Sequence, residues 1–380
     1  MNKDSRGFLT LVDGAKRYRR ADHYESMVKG LINSINQYGD SSAKHPNYPC
    51  AIITDSDDAE LLQMASQVIR PMREYDGEEI QGTAHKLFLD IYSPFAETIF
   101  IEADCLLYCQ PSILWELYTK AEGDLVIQQQ GSNKFAKSTY KSKGKANSKD
   151  SGKNHNFSIH NLDVYLDKCG IESFPHTIGG LIYFKQSQQS KVVFTAVRDL
   201  YKRRHEIGLR QLSNQVEVAD ETLFATALTQ HKHPLMSGGT AGYIGEKMSD
   251  NPILLQEEFR MIKQQGYNKL DVLDKHVALI RNSPAPKTLV VHYSARDKFS
   301  LIYLMELNKL RVSKYLGKDR GIILLLIALL LSIPTLITLK KRWAEFIIKM
   351  MLARYAEQGV VGLIPNRIKN NVIWLSKRKP

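Results

Sequence analysis

Cysteine is scarce in this chain, with four residues in 380, Cys50, Cys105, Cys109 and Cys169, none in paired C-x-x-C spacing. That excludes a disulfide framework and leaves no zinc ribbon, so the thiols read as reduced and mostly packed. A P-loop is missing too: Gly238-Gly239-Thr240-Ala241-Gly242 is glycine-rich, but no Gly-Lys-Ser/Thr follows it. No apolar leader opens the chain, since Met1 to Arg6 is polar and the run after it is short. The expectation is a catalytic part without a secretory signal, at the cytosolic side. The formal charge is +12, concentrated at residues 134–153 and beyond Lys309. Aromatics do not interleave with the first cluster, which excludes a stacking platform for nucleic acid.

What is present is an alternation of short apolar runs and amphipathic segments. Gly7-Phe8-Leu9-Thr10-Leu11-Val12 reads as a buried strand that stops at Asp13-Gly14. Tyr24, Met27, Val28, Leu31, Ile32 and Ile35 lie on one face of a helix, and Cys50-Ala51-Ile52-Ile53-Thr54 forms a second strand that stops at Asp55. A further short strand is expected at Val68-Ile69, a helix over 85–92, and strands at 98–101 and 124–127. Residues 129–156, polar and rich in Lys, Ser, Gly and Asn, read as a solvated flexible loop or as a mobile lid over an anionic substrate. Order resumes with Gly179-Gly180-Leu181-Ile182-Tyr183-Phe184, a long helix over 191–205, a helix opened by Asp220-Glu221, and a strand ending at His292. Short strands alternating with helices predict an α/β fold around a mainly parallel sheet.

The most informative residues are Glu102-Ala103-Asp104, which follow Thr98-Ile99-Phe100-Ile101. Acids that directly follow a buried strand either are solvated at the strand's end or meet a cation there. Carboxylates at alternate positions, where an α/β strand opens into its ligand crevice, suit a hard divalent ion carrying a diphosphate.

In chain order, these pieces resemble the GT-A glycosyltransferases, in particular the glycogenin-like glycosyltransferase family 8 and its bacterial relatives, over residues 6–300. The resemblance rests on Leu9-Thr10-Leu11-Val12-Asp13-Gly14, Ser93-Pro94-Phe95, Glu102-Ala103-Asp104, the strand led by Gly179-Gly180, Asp220-Glu221 and His292. It implies a GT-A fold, Rossmann-like with flanking helices, and a nucleotide-sugar donor, with a UDP-sugar leading. By the same resemblance Mn2+ or Mg2+ is held by Glu102, Asp104 and His292. Thr10, Asp13 and Asp55 fall where the base and ribose bind, and Lys86 and Lys298 where the diphosphate binds. Gly180 falls where the sugar lies against the backbone. Asp220, with Glu221 beside it, takes the catalytic position that orients donor or acceptor hydroxyls. Two departures stand out: Glu102 replaces the first aspartate of D-x-D, and His292-Tyr293-Ser294-Ala295-Arg296-Asp297-Lys298 carries Ala for the family's Gly and lacks its Pro-Trp. Several positions keep a structural reading beside the functional one. Asp55 and Asp220 also suit helix caps, Lys86 an exposed helix lysine, and His292 a strand end satisfied by backbone.

Two regions are therefore expected: a catalytic domain over 1–308 and a basic, apolar region over 309–380. Within the second, residues 321–339 form an uncharged apolar run bordered by Lys314, Lys318 and Arg320 on one side and Lys340, Lys341 and Arg342 on the other. Its length is near the minimum for a bilayer, and Pro334 suits a re-entrant or interfacial attachment that keeps both basic borders in the cytosol. The expected activity is metal-dependent transfer of a sugar from a nucleotide-sugar to a membrane- or lipid-linked glycan acceptor at the cytosolic face of a membrane. Two alternatives stay open, a sugar-1-phosphate nucleotidyltransferase and a non-catalytic membrane adaptor that retains a degenerate sugar-nucleotide domain.

Overall fold

The computed structural model describes residues 5–13, 21–37, 48–107, 110–137, 159–209, 220–234 and 290–292, together with 303, 304, 307, 308 and 310. The chain divides into two units, Met1–Ser294 and Ala295–Pro380. Lys298, the apolar run 321–339 and most of the expected loop lie outside the described residues. Among those described, no helix is long and apolar enough to cross a membrane.

Within the first unit the elements are β1 (Arg6–Val12), α1 (Ala21–Gln37), β2 (Cys50–Thr54), α2 (Ala59–Met64), β3 (Gln67–Ile69) and a small hairpin of β4 (Glu74–Tyr75) and β5 (Glu78–Glu79). A 3₁₀ helix (Gly82–Phe88) runs into α3 (Leu89–Tyr92). Then come β6 (Glu97–Ile101), β7 (Cys105–Leu107), α4 (Pro111–Thr119), β8 (Leu125–Ala136), α5 (Leu162–Cys169), β9 (Ser173–Lys185), α6 (Gln188–Lys202), α7 (Asp220–Gln230) and β10 (Val290–His292).

The central sheet has the order β3-β2-β1-β6-β9-β8. Pairing is parallel from β3 through β6, and β9 runs antiparallel to both β6 and β8. This mostly parallel sheet with one reversed strand fits the GT-A expectation. Adjacent residues in each central strand point to opposite faces, and both faces are covered, so the strands read as continuous apolar runs. Leu9, Ile53, Phe100 and Ile182 pack with Val193 and Phe194 of α6 and Leu223 and Phe224 of α7. Phe8, Ile52, Ile99 and Tyr183 face the other way, onto Leu31 and Ile35 of α1 and Trp115 of α4. The expected apolar face of α1 is thus its buried face.

Local chemistry sets the ends of the helices. Asp58, rather than Asp55, caps α2 by accepting the Leu61 N–H at 2.8 Å, which leaves Asp55 for the site. Asn161 opens α5, and Gly170 closes it at φ 68°, a left-handed turn in which any other residue is strained. Ser187 and Ser190 form a reciprocal cap on α6.

Two expectations need correction. The polar segment from residue 129 onward is a strand as far as Ala136, paired with β9 across two irregularities in register. Pairing with β9 at Gln129 and from Lys134 to Ala136 holds it despite the lack of apolar alternation. The helix expected over 85–92 starts earlier, as a 3₁₀ turn at Gly82 that tightens the chain just before two site residues.

Candidate functional site

The acids that end β1, β2 and β6 gather at one end of the sheet, the carboxyl end of its parallel strands, where open α/β sheets bind ligands. They divide into two clusters. At the β1/β2 rim, the Asp13 side chain is only 3% exposed and is held from three directions. Arg73 Nη1 donates to Oδ1 at 2.6 Å, the Gly82 N–H donates to Oδ2 at 2.9 Å, and His85 Nε2 lies 3.1 Å from Oδ2. Arg73 Nη2 also reaches Asp55 Oδ2 at 3.0 Å, so one guanidinium bridges the ends of two neighbouring strands. Burial alone would push the Asp13 carboxyl up. The hydrogen bonds from His85, Gly82 and Arg73 outweigh that and hold it well below the usual carboxylate range. Thr10 sits deeper, buried within β1 opposite Ile52, with no hydrogen-bond partner for its hydroxyl among the described residues.

The second cluster lies where β6, β9 and α7 meet. Lys86 is buried and ion-pairs with Glu102 and, at 2.8 Å, with Asp220. Burial by itself would favour the neutral amine, but Asp220 and Glu102 overcome it and keep Lys86 charged far into the alkaline range. The Gly179 N–H donates to Glu221 Oε1 at 2.9 Å, and Thr177 Oγ1 donates to the Glu221 carbonyl at 3.0 Å. These bonds tie the start of α7 to β9. A Cβ on Gly179 would lie 2.9 Å from Asp220 Oδ2 and 3.2 Å from Glu221 Cγ, so only glycine lets the strand approach both acids. Burial, followed by the charge of Asp220, pushes the Glu221 carboxyl up to about 7. Burial also raises Asp220, with Lys86 pulling it back. Among the described residues Lys86 is shared between Glu102 and Asp220.

The acid turn is anchored by backbone. The Glu102 N–H donates to the Gly180 carbonyl at 3.0 Å, and the Cys105 N–H closes the turn onto the Glu102 carbonyl at 3.0 Å. Asp104 lies in that turn, partly buried. β7 follows at once, held to α1 because the Leu107 N–H donates to Ser34 Oγ at 2.9 Å. β10 pairs antiparallel with β7, and this register sets His292 opposite Cys105, one residue beyond Asp104. The fold therefore brings Glu102, Asp104 and the His292 backbone to one turn, across nearly two hundred residues of chain. Among the described residues no group of three His, Cys, Asp or Glu side chains forms a ready metal cluster.

Of the sequence-derived candidates, Lys86, Glu102, Asp220, Glu221 and Gly180 come together, Asp13 and Asp55 form the neighbouring rim, and Lys298 lies outside the described residues. Sequence reasoning missed Arg73, His85, Tyr92 and Gly179. The signal for His85 was its place directly before Lys86: consecutive residues of the 3₁₀ turn serve the two clusters. Arg73 had a weaker signal, lying just ahead of the Asp76-Gly77 hairpin turn.

No family model matches the chain, and no curated protein matches it. Among solved structures it is similar to the glycosyltransferase GlyE of Streptococcus pneumoniae TIGR4, at 12% identity and a TM-score of 0.41, over 78% of this chain and 56% of that one. The chain thus spans little more than half of GlyE. It is also similar to mouse xyloside xylosyltransferase 1 (12% identity, TM-score 0.41, 77% of this chain and 99% of that one). A third similar structure is the galactosyltransferase LgtC in complex with donor and acceptor sugar analogs (10% identity, TM-score 0.39, 76% and 87%).

Proposed function

We propose that this chain is a glycosyltransferase that moves a sugar from a nucleotide-sugar to a glycan acceptor. The observation that carries the reading is the gathering of carboxylates about one buried lysine at the carboxyl end of the sheet. Glu102 and Asp220 pair with Lys86, Glu221 follows Asp220 and accepts from the Gly179 N–H, and Asp104 sits in the same turn as Glu102. Such a site suits a divalent cation, and its carboxylates are donors that fit Mn2+ or Mg2+, while register sets the His292 backbone opposite Cys105. Asp104, Glu102 and His292 would hold that ion, which when bound supplies charge neutralisation for a leaving diphosphate.

The chain's own residues do the rest of the work. Lys86 places a fixed positive charge beside Glu102 and Asp220, in a setting where a preorganised charge is stronger than in water. Gly179 lets β9 lie close under the acids, so a sugar resting there meets Asp220 and Glu221. Glu221, titrating near neutrality, can take or give a proton at its free oxygen as an acceptor hydroxyl is engaged. Asp13, Asp55 and Arg73 form the end of the crevice assigned to the base and ribose. A lipid-linked acceptor at the cytosolic face of a membrane is supported by the sequence, through the uncharged run 321–339 between basic borders.

The test is release of nucleoside diphosphate from a panel of nucleotide-sugars with Mn2+ present. Release by the native chain and its loss in Asp104→Ala, with circular dichroism unchanged, is the expected result. Turnover unaffected by Asp104→Ala removes the site assignment, and a native chain that neither binds nor cleaves any donor favours the adaptor alternative.

A further inference from the structure

Lys86 is a long side chain that has to put a fixed charge at one point. A lysine has a flexible four-carbon stem, so its ammonium is preorganised only when head and backbone are both held. The head is held by Glu102 and Asp220. The backbone is carried by the 3₁₀ turn Gly82–Phe88, a weak element by itself because 3₁₀ hydrogen bonds are poorly aligned. Side chains from other elements must therefore fix it, and they do so on both flanks of Lys86.

On one flank His85 is fully buried and both of its ring nitrogens are engaged. Nε2 lies 3.1 Å from Asp13 Oδ2, the oxygen that also accepts the Gly82 N–H at 2.9 Å. One carboxylate oxygen at the end of β1 thus grips the turn at both Gly82 and His85. Nδ1 lies 2.9 Å from Tyr92 Oη at the end of α3, and Tyr92 Oη accepts the Met72 N–H at 3.2 Å. With the ring neutral, one set of protons satisfies the series: Tyr92 O–H to Nδ1, then Nε2–H to the carboxylate. On the other flank the Leu87 carbonyl accepts from Arg198 Nη1 at 3.1 Å. The same guanidinium reaches Asp90 through Nη1 at 2.7 Å and Nη2 at 3.2 Å. The Arg198 and Asp90 side chains are 9% and 6% exposed, so this two-pronged clamp is shielded from water.

We propose that His85 and Arg198 are positioning residues for Lys86, with Tyr92 orienting the His85 ring, and that they raise turnover by fixing where the lysine's charge stands. The inference rests on the transferase reading above and deepens it. Lys86 is the group that acts, and its two chain neighbours are the points through which it is held. A charge misplaced by about 1 Å can cost about a hundredfold in rate, so such support is read in kcat.

The experiment measures kcat for nucleoside diphosphate release by the full chain, Mn2+ present, with the donor it cleaves fastest among UDP-, GDP- and CDP-sugars. Each variant is assayed where circular dichroism shows it folded. His85→Leu is expected to lower kcat by about tenfold or more, and Arg198→Lys and Tyr92→Phe by less. His85→Gln should recover part of the loss, since its amide can donate to Asp13 as the imidazole does. Where His85→Leu does not fold, Tyr92→Phe carries the comparison. The same substitutions are then made in Lys86→Gln, where each should change kcat by no more than about twofold if it acts through the lysine. Losses that persist in full without the lysine mark a merely structural or Asp13-directed role and overturn the inference, as does unchanged kcat in every single variant. Should Lys86→Gln be unfolded or inactive, nitrogen-15 NMR of the Lys86 ammonium decides. A slowly exchanging native signal that broadens in the folded variants supports the inference, and one that is absent or unaltered overturns it. A native chain that neither binds nor cleaves any of these donors overturns the transferase reading and this inference with it.

Discussion

The two acid clusters both hold buried carboxylates, yet Asp13 in one is shifted in the opposite direction from Asp220 and Glu221 in the other. At the β1/β2 rim Asp13 receives Arg73, the Gly82 N–H and His85, and its carboxyl is held well below the ordinary range against the push of burial. Where β6, β9 and α7 meet, Lys86 is shared between Glu102 and Asp220, and burial wins: Asp220 is raised and Glu221 reaches about 7. Burial sets the size of the penalty, and the number of donors decides its sign. Among the described residues Asp13 receives three donors, whereas Glu102 and Asp220 share one lysine.

Removing Lys86 should break the contrast most severely. Lys86→Met leaves Glu102 and Asp220 buried without their cation, a type of loss that costs about 3–5 kcal/mol. The lysine's folded pKa is raised, so its contribution is fully present below the unfolded value of 10.5 and is lost only as pH rises through the higher folded value. Between pH 5 and 9 it is therefore constant. Any easing of the variant's deficit toward low pH must come from protonation of the acids. Denaturant unfolding across that range measures both; a deficit below about 1 kcal/mol, the level of an exposed pair, would show that the cluster is solvated after all.

Much of this arrangement was legible because strand burial and acid placement are local signals. Fully buried runs that end in Asp13, Asp55 and Glu102 mark the carboxyl ends of adjacent parallel strands, and a helix opening with Asp220-Glu221 marks where α7 begins. What stayed hidden was long-range. Asp13 meets Arg73 and His85 through pairings 60 and 72 residues apart, carried by a turn and a 3₁₀ segment without hydrophobic period. The tight glycine is Gly179 because α7 packs on it, a fact of tertiary contact rather than of the Gly179-Gly180 pair itself. The polar residues of β8 beyond Ile127 gave no strand pattern, since their order comes from pairing with β9.

A mid-sized effect isolates the raised acid. The Glu221 carboxyl titrates near 7 in the fold against 4.5 when unfolded, so the folded chain binds the extra proton and stability falls as pH rises from 4.5 to 7. Glu221→Gln keeps an amide oxygen for the Gly179 N–H and removes the charge. It should exceed the native chain in stability at pH 8 by about 1–3 kcal/mol, the gain shrinking toward zero near pH 4.5. Parallel stability–pH curves for the two proteins would mean that Glu221 is ionised without penalty, and the contrast with Asp13 would fail.

The smallest effect on stability belongs to the rim cluster. Arg73→Met removes a guanidinium that is 40% exposed, so solvent already screens much of its attraction to Asp13 and Asp55. Asp13 keeps the Gly82 N–H and His85, and the loss at pH 7 should not exceed about 1 kcal/mol. Because the folded Asp13 value is depressed, its contribution is present above the unfolded value of 3.8 and disappears as pH falls through the lower folded one. Losing Arg73 should therefore raise the midpoint of acid unfolding slightly while leaving the neutral plateau nearly level. If Arg73→Met proves as damaging at pH 7 as Lys86→Met, then the number of donors does not separate the clusters. Arg73 would be a buttress of the fold rather than an outward-facing group.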